Sequence, residues 1–195
     1  MAAQIQPELL KAISESIINN QRLVILTCGV CGAGKSTLSR ALVALNSNFV
    51  RLSIDLYIFE NHGLYDKDYD RSRYETFQEE ASRALKEEFR GLLEEGRRDV
   101  VLDFAFWSKG YRDEWRRCVE EAERENERKI RTVIVYFEVS QHEDLLWKRV
   151  QERNKGEKNA DSAVQIKREL LRKYVSGFER PLEGIEGEVV VFGFE

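Results

Sequence analysis

Apolar positions along the chain fall into two regimes, short continuous runs and longer stretches at helical spacing. Pro7 opens the first helical stretch, Glu8 to Asn19, in which Leu9, Leu10, Ile13, Ile17 and Ile18 recur at helical intervals before Asn19 and Asn20 stop it. Arg22 to Cys28 is a near-continuous apolar run, the pattern of a strand buried on both faces. A Gly-rich turn then leads into a helix from Lys35 to about Leu45. The same alternation predicts strands at Phe49–Ile54, Val100–Asp103, Arg131–Val139 and Glu188–Phe192. Helices are predicted at Asp70–Glu95, Gly110–Glu127, Glu143–Arg153 and Ser162–Phe178. Strands alternating with helices in this way predict an α/β fold, a three-layer sandwich around a mainly parallel five-stranded sheet. No repeat and no Pro/Ser/Gly linker divides the 195 residues, so one domain is expected over 1–195, with an N-terminal helix within 1–20.

The turn after the first strand carries the most specific chemistry. Gly29-Val30-Cys31-Gly32-Ala33-Gly34-Lys35-Ser36 matches G-x-x-x-x-G-K-[ST] at every fixed position, between a buried-strand pattern and a helix pattern. The glycines let the backbone wrap a phosphate chain with its N–H groups pointing inward, and the positive end of the following helix favours the same anion. Lys35 is then placed for the β/γ-phosphates and Ser36 for Mg²⁺, with Thr37 completing the loop. Cys28 and Cys31 spell C-x-x-C, but the second pair that a zinc site needs is missing, and both lie in or beside this loop.

Other signatures narrow the class. Asn154-Lys155-Gly156-Glu157 approaches a guanine-reading N-K-x-D, but it follows a helix and ends in Glu. Three apolar residues, Val100 to Leu102, deliver Asp103 at the end of the third strand, and Phe104 stands where a motor ATPase often places a water-activating Glu. That pattern favours transfer to a bound hydroxyl over steady hydrolysis. From Arg22 to Phe192 the chain resembles the small P-loop kinases that include polynucleotide 5′-kinases, zeta-toxin sugar-nucleotide kinases and chloramphenicol phosphotransferase, with only the phosphate loop highly specific. The resemblance implies ATP and Mg²⁺ as cofactors and Asp55, just past the second strand, as general base. It implies Asp103 and Arg112 as acceptor contacts, Asp103 also as a second metal candidate beside Ser36, and Arg149 and Arg153 as lid arginines over the transferring phosphate. The lid region then runs from about 149 to 178.

Each role has a plainer rival. Asp55 also fits the N-cap of a turn at Leu56–Glu60, although the end of a parallel strand beside the phosphate loop is where ligands sit in open α/β sheets. Asp103 fits a capped strand end, Arg116 and Arg117 compete with Arg112, and Arg149 and Arg153, i,i+4 on one helix face, fit a solvated surface. The polar interval Arg153–Asp161 reads as a surface loop or as a mobile lid. Ser140-x-x-Glu143 reads as a capping box.

Charge bears on the partner. Thirty-one Lys and Arg against 35 Asp and Glu leave −4, where a binder of duplex DNA or of an anionic membrane more often shows a basic excess. Three cysteines build no disulfide framework, and no apolar run approaches a membrane span or a signal pattern, which points to a soluble protein of a reducing compartment, the cytoplasm. Between Arg51 and Glu80, eight acids against four bases leave −4, interleaved with Tyr57, Phe59, Tyr65, Tyr69, Tyr74 and Phe77. If that segment and Phe104, Phe106 and Trp107 line the acceptor side, the expected partner is a neutral or cationic small molecule bearing a hydroxyl, with nucleic acid less favoured. A polynucleotide or sugar-nucleotide kinase, and an ATP-binding module without catalysis, remain as alternatives.

Overall fold

The computed structural model describes residues 5–138, 142–156, 158–162 and 166–193. In chain order the elements are α1 (Pro7–Ile18), β1 (Arg22–Cys28), α2 (Lys35–Leu45), β2 (Phe49–Leu52), α3 (Ile54–His62), α4 (Tyr74–Glu95), β3 (Asp99–Leu102), α5 (Lys109–Asn126), β4 (Ile130–Phe137), α6 (Glu143–Lys155), α7 (Arg168–Ser176) and β5 (Glu188–Phe192). The strands form one sheet in the order β2-β3-β1-β4-β5, with every pair parallel.

The apolar run of β1 explains its central place. Leu23 and Ile25 face a layer built by Leu9 and Ile13 of α1, Leu38 and Leu42 of α2, Leu146 and Val150 of α6, and Leu171 of α7. Val24, Leu26 and Cys28 face Leu85, Phe89 and Leu93 of α4 with Trp115, Cys118 and Val119 of α5. A strand covered on both sides needs no polar face, so it shows no alternation. A third cluster, Ile58, Tyr69, Phe77 and Ala81, joins α3 to α4.

Several boundaries differ from the sequence expectation for local reasons. β2 stops at Leu52 because the Ser53 hydroxyl accepts the Leu56 amide at 3.4 Å and starts α3, which sequence reading reduced to a turn. Asp70 accepts the Ser72 amide at 2.8 Å and caps a 3₁₀ turn, Arg71–Arg73, so α4 begins at Tyr74. The predicted helix Ser162–Phe178 divides into a 3₁₀ turn, Ala160–Ser162, and α7. Val139 and Ser140, with the predicted capping box, lie outside the described residues. No described helix is long and apolar enough to cross a membrane.

Candidate functional site

The carboxyl ends of parallel strands are where an open α/β sheet binds ligands, and the larger cleft, about 1740 Å³, opens there. A smaller cavity of about 590 Å³ lies at the other end of the strands, beside Asn20, Arg22, Gly96 and Arg128, and holds none of the sequence motif. Residues Gly29 to Leu38 line the large cleft continuously.

The loop after β1 has the geometry its glycines permit. Gly32 and Gly34 sit at φ +81° and +110°, the left-handed region where a side chain is strained. A Cβ on Gly29 would stand 3.1 Å from Phe137 Cβ and 3.2 Å from Ala33 Cβ, so the loop also needs that glycine for close packing. Lys35 Nζ donates to Val30 O at 2.9 Å, folding the ammonium across its own loop. Burial pushes that ammonium below the usual lysine range, against the pull of Asp103, Cys31 and Asp55. Ser36 Oγ donates to Asp103 Oδ1 at 3.4 Å. Together with Arg153 Nε, which is buried without a hydrogen-bond partner among the described residues, these groups fit a polyphosphate with a divalent cation at the Ser36–Asp103 pair.

Asp55 lies in the first turn of α3 and lines the same cleft as the loop. Ser53 does the capping, so the carboxylate of Asp55 is not spent on it. That carboxyl is open to solvent in the cleft yet walled by protein. The resulting partial dehydration, reinforced by Asp103 and Asp161 and opposed by Lys35 and Arg153, pushes it up to about 6. Asp103 is buried at the end of β3 and ion-paired to Arg51, with its other oxygen toward Ser36. That places it on the phosphate-loop side of the cleft.

Arg112 is a correction to the sequence reading. Its side chain is 0% exposed and does not reach the cleft. Nε and Nη2 bind the Glu186 carboxylate at 2.6 and 3.0 Å, and Nη1 donates to Phe106 O and Glu179 O, each at 2.9 Å. The guanidinium therefore ties the loop before α5 to the segment after α7, spending four of its five N–H donors there, away from the cleft lining. Its rivals fare no better, since Arg116 pairs with Asp113 and neither Arg116 nor Arg117 lines the cleft.

Arg149 and Arg153 of α6 both line the cleft, and Arg153 Nη1 donates to Asp161 O at 3.2 Å. Sequence reading missed Arg40 of α2, Lys173 and Tyr174 of α7, and Asp161, all of which reach the same space. It missed Arg51 as well, although an Arg within the apolar strand Phe49–Leu52 is itself a signal that a buried acid is near. The aromatics divide. Tyr69 and Phe77 are core, whereas Tyr74, Trp107 and Tyr111 line the cleft with Glu75, Gln78 and Glu79.

Comparison with known proteins bears on the fold and the family. The AAA_33 family model, an AAA domain, matches residues 24–181. No curated protein matches the sequence. Among solved structures the chain is similar to a candidate kinase from Chloroflexus aurantiacus J-10-fl, at 18% identity over 89% of this chain and 88% of that one, with a TM-score of 0.65. It is similar also to Chaetomium thermophilum Kti12 in complex with ADP-AlF3, at 16% identity over 88% of this chain and 89% of that one, TM-score 0.61. A chain of the Pnkp1/Rnl/Hen1 RNA repair complex follows at 19% identity and TM-score 0.55, with 80% of this chain covering 44% of that one. These likenesses concern the fold; the family match, which spans most of the chain and includes the phosphate loop, goes further, and by it the protein belongs to the AAA domains of the P-loop kinase-like, nucleotide-binding type.

Proposed function

We propose that the protein is a kinase that moves the γ-phosphate of ATP to a hydroxyl of a small-molecule acceptor. The observation that carries this reading is the placement of Asp55, uncapped and with its carboxyl pushed up to about 6, in the same cleft as Lys35. A carboxylate so tuned takes a proton near neutral pH more readily than an ordinary aspartate. Asp55 receives the acceptor proton as the new oxygen–phosphorus bond forms and the bond to the β-phosphate breaks, its electron pair leaving with ADP. Lys35, Arg149 and Arg153 stabilise the charge spread over the phosphoryl oxygens in transit. Ser36 and Asp103 would hold Mg²⁺, which supplies further neutralisation of the phosphates when bound.

Charge in the cleft favours a small neutral or cationic acceptor. Lys35, Arg40, Arg149, Arg153 and Lys173 gather on the phosphate-loop and lid side. The wall formed by α3, α4 and the start of α5 presents Asp55, Glu75 and Glu79 with Tyr74, Trp107 and Tyr111, and contributes no Lys or Arg to the lining. A nucleic-acid end would bring phosphates against those carboxylates. The RNA repair complex chain among the structural neighbours supports a second reading, a polynucleotide 5′-hydroxyl kinase. Labelled ATP incubated with a panel of amino alcohols, sugars, nucleosides and 5′-hydroxyl oligonucleotides tests both. Acceptor-dependent ADP release with a small molecule supports the first reading, and label on the oligonucleotide supports the second. Tight ATP binding without turnover on any acceptor would instead mean a non-catalytic module.

A further inference from the structure

We propose that Arg51 is a positioning residue that couples the Ser36–Asp103 pair to the lid, by sharing its guanidinium between Asp103 and Asp161. This coupling rests on the reading of the cleft as a Mg²⁺-nucleotide site. Arg51 is the third residue of β2, and its side chain is 12% exposed. Nη2 stands 2.6 Å from Asp103 Oδ2 and 2.6 Å from Asp161 Oδ1, and Nε stands 2.8 Å from Asp103 Oδ2. Asp103 turns its second oxygen to Ser36, and Asp161 turns its second oxygen to Arg40 of α2. The turn that carries Asp161, Ala160–Ser162, packs on α3, the helix of Asp55, and its Asp161 carbonyl accepts from Arg153. One connected set of charges therefore runs from the phosphate loop through Asp103, Arg51 and Asp161 to the lid arginine.

Sharing is what makes the set responsive. A guanidinium has a fixed fork of donors; here Nε donates to Asp103 and Nη2 to Asp161, with Nη2 2.6 Å from an oxygen of each acid, so one rigid plane answers to both carboxylates. Positive charge arriving at Ser36–Asp103 draws on the Asp103 carboxylate and repels Arg51. Arg51 then gives more of its hydrogen bonding to Asp161, which anchors the turn more firmly against α3 and fixes the carbonyl that holds Arg153. An inert structural strut would hold the lid equally with and without the cation.

Hydrogen exchange in peptides containing Asn159–Ser162 distinguishes the two. It is measured with a non-hydrolysable ATP analogue, in EDTA and in Mg²⁺, for the wild type, Asp161→Asn and Arg51→Lys. Asp161→Asn keeps size but weakens the ion pair, and Arg51→Lys keeps charge but cannot span two carboxylates. In the wild type, Mg²⁺ should slow exchange ~5–150-fold beyond the analogue alone, the usual range of coupling between sites. In both variants that increment should vanish, with a cooperative thermal transition reporting an intact fold. Asp161→Asn alone decides the matter if Arg51→Lys does not fold. An undiminished Mg²⁺ increment in Asp161→Asn, or no increment in a wild type that binds the analogue, overturns the coupling. Absence of analogue binding in the wild type overturns the nucleotide reading itself and the coupling with it.

Discussion

Replacing Arg112 with Ala should cost stability and leave the cleft chemistry intact. The Arg112 and Glu186 side chains are 0% and 1% exposed, and the guanidinium makes hydrogen bonds to both carboxylate oxygens and to two backbone carbonyls. After truncation the Glu186 carboxylate keeps, among the described residues, only the hydrogen bond from the Leu182 amide at 3.1 Å. Removing one partner of a buried pair in this way costs about 3–5 kcal/mol, because a buried charge is left without its counter-ion. With a urea m-value of ~2 kcal/mol/M, the unfolding midpoint should fall by about 1.5–2.5 M. The deficit also has a pH signature. Burial pushes the Glu186 carboxyl up, but the Arg112 bond and the Leu182 amide outweigh it and hold it below the ordinary 4.5. Its contribution is therefore present above that ordinary value and lost as pH falls through the lowered one, so the gap between wild type and variant should narrow in acid. The double variant Arg112→Met with Glu186→Leu, which removes both charges, should recover most of the midpoint. Urea titrations by circular dichroism, with nucleotide and acceptor affinity measured alongside, read all of this. A midpoint within about 0.3 M of wild type, with acceptor affinity lost, would refute the buried-clamp reading and return Arg112 to the acceptor site.

Further outcomes follow from the cleft. Lys35→Ala should fold normally and lose phosphoryl transfer by more than ~10²-fold, the scale of losing one preorganised transition-state donor; a folded variant with wild-type turnover contradicts the role. The double variant Arg149→Ala with Arg153→Ala should lose ~10³–10⁵ in rate if the pair meets the transferring phosphate, with a smaller effect on ATP affinity; near-normal transfer would make α6 a solvated face. Because Asp55 binds its proton more tightly folded than unfolded, its charge opposes folding above about pH 6. Asp55→Asn should therefore raise the thermal midpoint at pH 7.5 and leave it unchanged near pH 3.5, and a variant less stable at both would place Asp55 in the fold's support.

Sequence reading recovered what depends on near neighbours in the chain. The run from Arg22 to Cys28 and the loop Gly29–Ser36 state both the strand and its turn chemistry, because buried central strands and phosphate loops tolerate few other residues. Asp55 was legible as a candidate from its place after β2, but its freedom from capping depended on Ser53, a neighbour with the same capping ability. Arg112 was misplaced because its partner is 74 residues away, in a segment after α7 with no motif of its own. Arg51 and Asp161 are 110 residues apart, and nothing local marks them as a pair. Charged side chains that meet through the fold are the part a linear reading does not reach, and here they decide which arginine serves the cleft and which serves the frame.

If Asp55 takes the acceptor proton, removing its basicity must slow phosphoryl transfer without loosening ATP. Single-turnover transfer from labelled ATP to the acceptor found in the panel is measured for the wild type and Asp55→Asn, together with the ATP dissociation constant of each. The account predicts a rate lower by ~10²–10⁴, the usual contribution of a positioned base, with ATP affinity nearly unchanged and the wild-type rate rising through about pH 6. A rate that survives the substitution, or a loss of ATP affinity as large as the loss of rate, contradicts it.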